Sequence, residues 1–328
     1  MADDLAGPSP APAKRWWQLR RADVEARADA TVKELQAQFE ATKHQFEAAN
    51  EVIEARTGRN LIAAIAIGLA LGLTVVFTLI FMKELFMIFT AIIVAFGSFE
   101  LATALRIAGY RVPRTAIVLV AVATIPAAFY LSDPGKWLVM LAGVVLVALW
   151  RIAEFAFPQW RNTGRTLGQD LAAGAFVQVY VPFLAGFAVL LSSKPGGEWW
   201  TLAAVVIVVA TDTGAYASGL MFGKHPMAPR ISPKKTWEGF AGSVLCAVIA
   251  GVLLAVLLLG QPWWMGIILG LTLCGTATIG DLTESLIKRD IGIKDMSSWL
   301  PGHGGFLDRL DSILPSCAAA YILFVIFV

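Results

Sequence analysis

The feature that most constrains this chain is a series of long apolar blocks that starts near Leu61 and continues to the C-terminus. Blocks of about 20 residues have the length that a helix needs to cross the hydrocarbon core of a bilayer. The chain is 57% hydrophobic and 15% charged, with a mean hydropathy of +0.69, whereas a soluble domain carries about 25% charged residues. The sequence therefore predicts an all-α polytopic membrane protein.

The apolar blocks predict about nine transmembrane helices, at 61–81, 85–105, 115–131, 137–153, 167–191, 199–221, 240–260, 263–284 and 313–328. With this division, 23 of the 26 Lys and Arg residues fall in the N-terminal segment and the even-numbered loops. Cytoplasmic loops are enriched in Lys and Arg. The N-terminus is therefore predicted to be cytoplasmic and the C-terminus to lie outside.

Residues 1–60 are polar and precede the predicted transmembrane domain of 61–328. The first apolar run begins too late for a cleavable signal peptide. Residues 7–13 predict a disordered start, and the basic, aromatic residues 14–21 suit either an anionic membrane surface or a solvated helix start. Residues 22–56 predict a helix whose apolar spacing suits self-association or packing on the domain or the bilayer. We interpret 1–60 as a cytoplasmic extension.

One charged residue interrupts the otherwise apolar run "TLAAVVIVVATDTGAY". This residue, Asp212, would cost about 2.5–3.5 kcal/mol at the centre of a membrane helix. It is therefore predicted to face a wet cavity, a metal or a cation. The alternative is a helix cap near the membrane interface.

Downstream, "SPKKT" places two adjacent lysines after a serine and a proline. Proline can open a helix, and the free N–H groups of a helix N-terminus attract phosphate. The candidate phosphate-binding residues are Ser232, Lys234, Lys235 and Thr236. Alternatively, the lysines are ordinary positive charge on a cytoplasmic loop.

Two acidic pairs flank a second charged loop. Asp281 and Glu284 lie three residues apart, and so do Asp308 and Asp311. Residues at this spacing can share one face of a helix. Because Mg²⁺ is bound by one or two carboxylates together with waters and phosphates, Asp281 and Asp308 are predicted metal ligands. Asp311 and Glu284 are further candidate ligands.

Between and beside these acids lie four basic residues that suit anionic phosphates, Lys288, Arg289, Lys294 and Arg309. His303, in "GHGG", can serve as a donor or a base. The alternative is a solvated loop of self-cancelling ion pairs. Carboxylates, cations and a membrane together favour phosphoryl or nucleotidyl transfer on a lipid. The sequence contains no Walker, Rossmann or HExxH motif.

The run "SLIKRDIGIKDMSSWLPGHGGFLDRLD" at 285–311 resembles the signature of the phosphatidate cytidylyltransferase, or CDP-diacylglycerol synthase, family. The family pattern S-x-x-K-R-x4-K-D, P-x-H-G-G and D-R-x-D is matched without a gap. The upstream "DTGAY", "FGKH", "SPKKTWEG" and "GDLTES" are also similar to the family. The strong resemblance covers about 205–315, and residues 1–60 look like an extension outside the family core.

The resemblance implies transfer of the cytidylyl group of CTP to phosphatidic acid, which gives CDP-diacylglycerol and pyrophosphate for phospholipid synthesis. It also implies Mg²⁺, a second cation such as K⁺, a homodimer, a polar cavity facing the cytoplasm, and a bacterial-type plasma (inner) membrane. Membrane lipids are expected partners and nucleic acid is not. The residues carried over as catalytic are Asp281, Asp308, Lys288, Arg289 and His303. Those carried over as substrate-binding are Ser232, Lys234, Lys235, Thr236, Lys294, Arg309 and Asp212.

In this mechanism the phosphate of phosphatidic acid attacks the α-phosphorus of CTP and expels pyrophosphate. Positioning and charge neutralisation would carry most of the rate, and which basic pair serves which substrate stays open. One alternative is another lipid cytidylyltransferase or a CTP-dependent lipid kinase. A different class is an ion-coupled transporter, which intramembrane Asp212 and Glu100 would suit. A transporter would predict inverted repeats, and the sequence shows none.

Overall fold

Apolar helices make up most of the part of the chain that the structure describes. The structure is a computed structural model that describes Glu40 and residues 61–160, 164–297, 299 and 304–328. Apart from Glu40, the predicted extension and its helix at 22–56 lie outside the described residues, and so does His303. Residues Ala63–Val328 form one compact unit.

The helices are α1 (Leu61–Phe81), α2 (Lys83–Ile107), α3 (Arg114–Tyr130), α4 (Ser132–Ala156), α5 (Leu167–Gln178), α6 (Leu184–Ser193), α7 (Gly197–Phe222), α8 (Trp237–Leu257), α9 (Trp263–Ile291) and α10 (Ile313–Phe327). A π-helical turn at Val179–Phe183 joins α5 to α6, and single 3₁₀ turns lie at Pro158–Trp160 and Leu307–Arg309.

Each predicted apolar segment coincides with a helix. The fifth is α5, the π-helical turn and α6 in one continuous run of 27 residues. Six of the described helical runs are long and apolar enough to cross a bilayer, and α1 (over Ala66–Phe81), α3 and α10 are shorter apolar helices. The prediction of an all-α membrane protein is confirmed.

Helices α7 and α8 pack closely because glycines lie at their contact. A Cβ atom on Gly242 would lie 1.9 Å from Ser218 Oγ and 3.0 Å from the carbonyl oxygen of Gly214. A side chain at this position would push the backbones apart. The close contact matters because both helices form walls of the cavity described below.

A short hairpin separates α7 from α8. Its strands, β1 (Pro226–Ala228) and β2 (Ser232–Thr236), pair antiparallel. The expectation that the proline of "SPKKT" opens a helix is therefore wrong. The segment is extended because it pairs with β1, and α8 begins only after Thr236, whose hydroxyl accepts a hydrogen bond from the N–H of Gly239 at 3.1 Å.

A buried ion pair joins α4 to α5. The guanidinium of Arg151 donates to Asp170 Oδ2 from Nε at 3.1 Å and from NH2 at 2.8 Å. The N–H of Arg111 donates to the other oxygen of Asp170 at 2.8 Å. Because a buried charge is costly without such partners, these bonds hold the C-terminal part of α4 and the segment after α2 against the start of α5.

The opposite end of the bundle is closed by a different network. Lys83 pairs with Glu198 at 2.8 Å, and Lys194 pairs with Asp133 at 3.5 Å. The hydroxyl of Tyr321 donates to Asp133 at 2.5 Å. These contacts tie α2 to α7 and α4 to α10, so the helices are fixed at both ends of the bundle.

Candidate functional site

A cavity of about 260 Å³ lies among α7, the hairpin, α8 and α9. Its walls combine small, hydroxyl-bearing and charged side chains. They are Thr211, Asp212, Ala215, Tyr216, Gly219, Met227, Lys234, Lys235, Thr236, Gly239, Phe240, Ser243, Thr278 and Asp281. The cavity therefore offers both carboxylate oxygens and ammonium groups to a ligand.

Five of the residues predicted from the sequence line this cavity, namely Asp212, Lys234, Lys235, Thr236 and Asp281. Asp212, which the sequence predicts to face a wet cavity, a metal or a cation, lies in the wall of this cavity. Lys235 Nζ lies 2.6 Å from Asp281 Oδ2, and both side chains are partly exposed. The hairpin is thereby joined to α9 through a charge pair at the cavity wall.

A second, more buried cluster is centred on Lys288. Its ammonium group donates to Asp308 Oδ1 at 2.8 Å and to Glu284 Oε2 at 3.2 Å. The side chains of Asp308 and Glu284 are 4% and 0% exposed. In such a site of low dielectric constant, Lys288 neutralises buried negative charge.

Asp308 also holds the signature loop, which is the segment between α9 and α10 at 292–312. Its Oδ2 atom accepts the N–H of Met296 at 3.0 Å and the N–H of Gly305 at 2.8 Å. Burial raises the pKa of the Asp308 carboxyl, but the hydrogen bonds from Lys288 and from the two backbone N–H groups outweigh burial. The pKa of Asp308 therefore lies below its ordinary value, and the group is a carboxylate at neutral pH.

Glu284 and Asp311 are close enough for each carboxyl to affect the protonation of the other. Burial, together with the nearby charge of Asp281, raises the pKa of the Asp311 carboxyl. The two further candidate metal ligands are therefore neighbours.

The cavity and the buried cluster adjoin. Asp212 interacts electrostatically with Asp311 and Asp281, and with Lys235 and Arg309. Residues from α7, the hairpin, α9 and the signature loop thus share one region of charge. Among the described residues, no three His, Cys, Asp or Glu side chains stand close enough together to hold a metal ion by themselves.

Other predicted site residues lie elsewhere. Ser232 pairs with Ala228 in the hairpin, and Lys294 is exposed on the signature loop. The Arg289 side chain donates through Nε to the carbonyl oxygen of Ile231 at 3.2 Å, so adjacent Lys288 and Arg289 serve different contacts. None of these side chains lines the cavity.

Glu100 is a site residue whose role the sequence did not reveal. It is 2% exposed in α2. It accepts hydrogen bonds from the hydroxyl of Ser297 at 2.5 Å and from the N–H groups of Phe306 at 3.1 Å and Leu307 at 2.9 Å. In the sequence, Glu100 is an acid in the interior of an apolar helix. This position indicates that the acid has a partner but does not identify the partner.

The chain is similar to known proteins over nearly all of the described unit. The model of the Cytidylyltransferase family matches residues 62–327. A protein of Mycobacterium bovis named phosphatidate cytidylyltransferase is 40% identical over 281 residues, which are 82% of this chain and 89% of that protein. The protein of the same name from Mycobacterium leprae is 40% identical over 280 residues, which are 82% of this chain and 88% of that protein. A protein of the same name from Staphylococcus epidermidis is 33% identical over 186 residues, which are 56% of this chain and 69% of that protein.

Proposed function

Because the chain belongs to the cytidylyltransferase family, we propose that it transfers the cytidylyl group of CTP to phosphatidic acid. The products are CDP-diacylglycerol and pyrophosphate, for phospholipid synthesis. The observation that carries the proposal is the placement of Lys234, Lys235, Asp212 and Asp281 around one cavity. Ammonium groups there suit phosphates, and the apolar helices suit a lipid substrate.

The donor chemistry of the cavity fits a hard divalent cation such as Mg²⁺, because carboxylate and hydroxyl oxygens are the ligands that such ions prefer. Asp281 reaches the cavity with a side chain 34% exposed, and Asp308 Oδ1 accepts a hydrogen bond from Lys288. Asp281 and Asp308 would hold the cation, with Asp311 and Glu284 nearby and a second cation such as K⁺ beside them. A bound cation would offset the negative charge of the CTP phosphates.

The residues of the chain perform positioning and charge neutralisation. Two anionic substrates must approach each other, and Lys234 and Lys235 reduce their repulsion at the cavity wall. The phosphate oxygen of phosphatidic acid forms a bond to the α-phosphorus of CTP, and the bond to the leaving pyrophosphate breaks. Lys288 keeps Asp308 ionised and in place, while Arg309 lies near Asp212. No proton transfer is needed in this step.

We also propose the membrane, the topology and the partners of the enzyme. All nine apolar segments would cross a bacterial-type plasma membrane, with residues 1–60 as a cytoplasmic extension, 61–328 as the catalytic domain and the C-terminus outside. The cavity would open to the cytoplasm, where CTP is found. The proposed partners are membrane lipids and a second copy of the chain in a homodimer.

The experiment is a turnover assay with CTP, phosphatidic acid and Mg²⁺ in detergent. We expect CDP-diacylglycerol as the product in the wild type, and a loss of at least about 100-fold in kcat for Asp281→Asn, because a carboxylate that would hold the charge-neutralising cation is removed. Asp290→Asn is the matched control, because Asp290 is exposed farther along α9.

Near-wild-type turnover in Asp281→Asn would remove Asp281 from the mechanism. A phosphorylated lipid as the product would point to a kinase, and a preference for isoprenoid lipids over phosphatidic acid would point to another lipid cytidylyltransferase.

A further inference from the structure

Two buried carboxylates, those of Asp308 and Glu100, bind both arms of the signature loop. On the first arm, the N–H of Met296 donates to Asp308 and the hydroxyl of Ser297 donates to Glu100. On the second arm, the N–H of Gly305 donates to Asp308, and those of Phe306 and Leu307 donate to Glu100. On each arm, one residue therefore binds Asp308 and the residue after it binds Glu100.

The contact between Glu100 and the loop is too close for any added side chain. A Cβ atom on Gly305 would lie 2.8 Å from both carboxylate oxygens of Glu100. Around this contact the ring of Phe96 stacks on Phe306 with centroids 4.9 Å apart, and Phe99 stacks on Trp299 at 5.7 Å. The loop therefore contacts α2 through the hydrogen bonds of Glu100, and stacked aromatic side chains pack around those bonds.

From this geometry we infer that Glu100 is a positioning residue for the reaction. It fixes the loop that carries Asp308, and hence the Lys288–Asp308 pair beside the cavity. Glu100 touches no group assigned to the substrates, and it acts through the loop. The inference rests on the proposed function for its kinetic part, whereas the loop contacts stand independently of that function.

Glu100→Gln tests the inference because it keeps the shape of the side chain and replaces one acceptor oxygen with a donor. One of the loop N–H groups then faces an NH₂ group and loses its hydrogen bond. Leaving a buried donor without a partner corresponds to about a 5- to 150-fold change in an equilibrium constant. We expect the KM for CTP to rise by about that factor, with hydrogen exchange at the amides of Phe306 and Leu307 accelerated to a similar extent.

Two further variants make the test decisive. Ser297→Ala removes one donor to Glu100 while leaving α2 intact, so a smaller change in the same direction is expected even if Glu100→Gln does not fold. Asp170→Asn breaks the remote buried pair with Arg151. It should lower thermal stability without changing the KM for CTP or the exchange of the loop amides.

The inference is overturned if folded Glu100→Gln has the wild-type KM and wild-type exchange at residues 306 and 307. It is also overturned if Asp170→Asn changes both quantities as much as Glu100→Gln does, since Glu100 would then act only on global stability. Absence of CTP turnover in the wild type, with exchange still altered in Glu100→Gln, would reject the proposed function and keep the role of Glu100 in seating the loop.

Discussion

At the scale of single residues, Asp308 is an acid of the site whose charge is held by three hydrogen bonds. Its two oxygens accept from an ammonium group and from two backbone N–H groups. A carboxyl that is held below its ordinary pKa in the folded protein takes up its proton more readily when the protein unfolds. The ionised Asp308 carboxyl therefore stabilises the folded protein at pH values above its pKa in the unfolded chain. This stabilisation is lost as the pH falls through the pKa of Asp308 in the folded protein.

We predict that the wild type loses stability relative to Asp308→Asn as the pH falls below the ordinary aspartate pKa of about 3.9. At neutral pH the variant should be less stable by about 2–3 kcal/mol, because a hydrogen-bonded charge has been removed. Thermal unfolding of both proteins in one detergent, measured from pH 7 to pH 3, gives the difference. A difference that does not change with pH would contradict this role of the Asp308 charge.

At the scale of elements, the cavity depends on the close approach of α7 and α8. We predict that Gly242→Ala lowers stability by about 1–3 kcal/mol, since overpacking forces backbones apart, and that it raises the KM for CTP by moving two cavity walls. Gly275→Ala is the matched control, because a Cβ atom there meets nothing within 4 Å. A melting temperature of Gly242→Ala equal to or above that of the wild type would show that α7 and α8 adjust without cost.

Also at this scale, the elements were more predictable from sequence than the contacts between them. Apolar block length placed the helices well, because the requirement to bury backbone polar groups in lipid leaves few alternatives to a helix. The hairpin was misjudged, because a five-residue strand has little periodicity and its proline also suits a helix start. The spacing of Asp281 and Asp308 marked them as site residues. Their pairing with Lys235 and Lys288 depends on tertiary packing, which the spacing does not encode.

At the scale of the whole molecule, the two ends of the bundle differ in charge. Arg106 lies close enough to Arg111, Arg114 and Arg151 to interact with them electrostatically, which places basic residues of the even-numbered loops at one end. At the other end, Lys83 and Lys194 are paired with acids. This asymmetry supports the proposed orientation, with the basic end in the cytoplasm.

The orientation predicts a labelling pattern in intact cells. Pro195 and Arg230 are both exposed, in loops proposed to lie on opposite sides of the membrane. In a background that lacks other cysteines, Pro195→Cys should react with a membrane-impermeant maleimide, and Arg230→Cys should react only after permeabilisation. The reverse pattern would invert the proposed topology, and equal labelling of both before permeabilisation would mean that the cells were leaky.

The bonds of Glu100 set an order of events during synthesis of the chain. Ser297 follows Glu100 by 197 residues, so at 5–20 residues per second the ribosome needs about 10 to 40 s to reach it. Throughout that interval α2 exists without the donors that its acid accepts in the finished protein. A nascent chain arrested before Ser297 therefore carries, in α2, an acid that still lacks the hydrogen-bond donors of the signature loop.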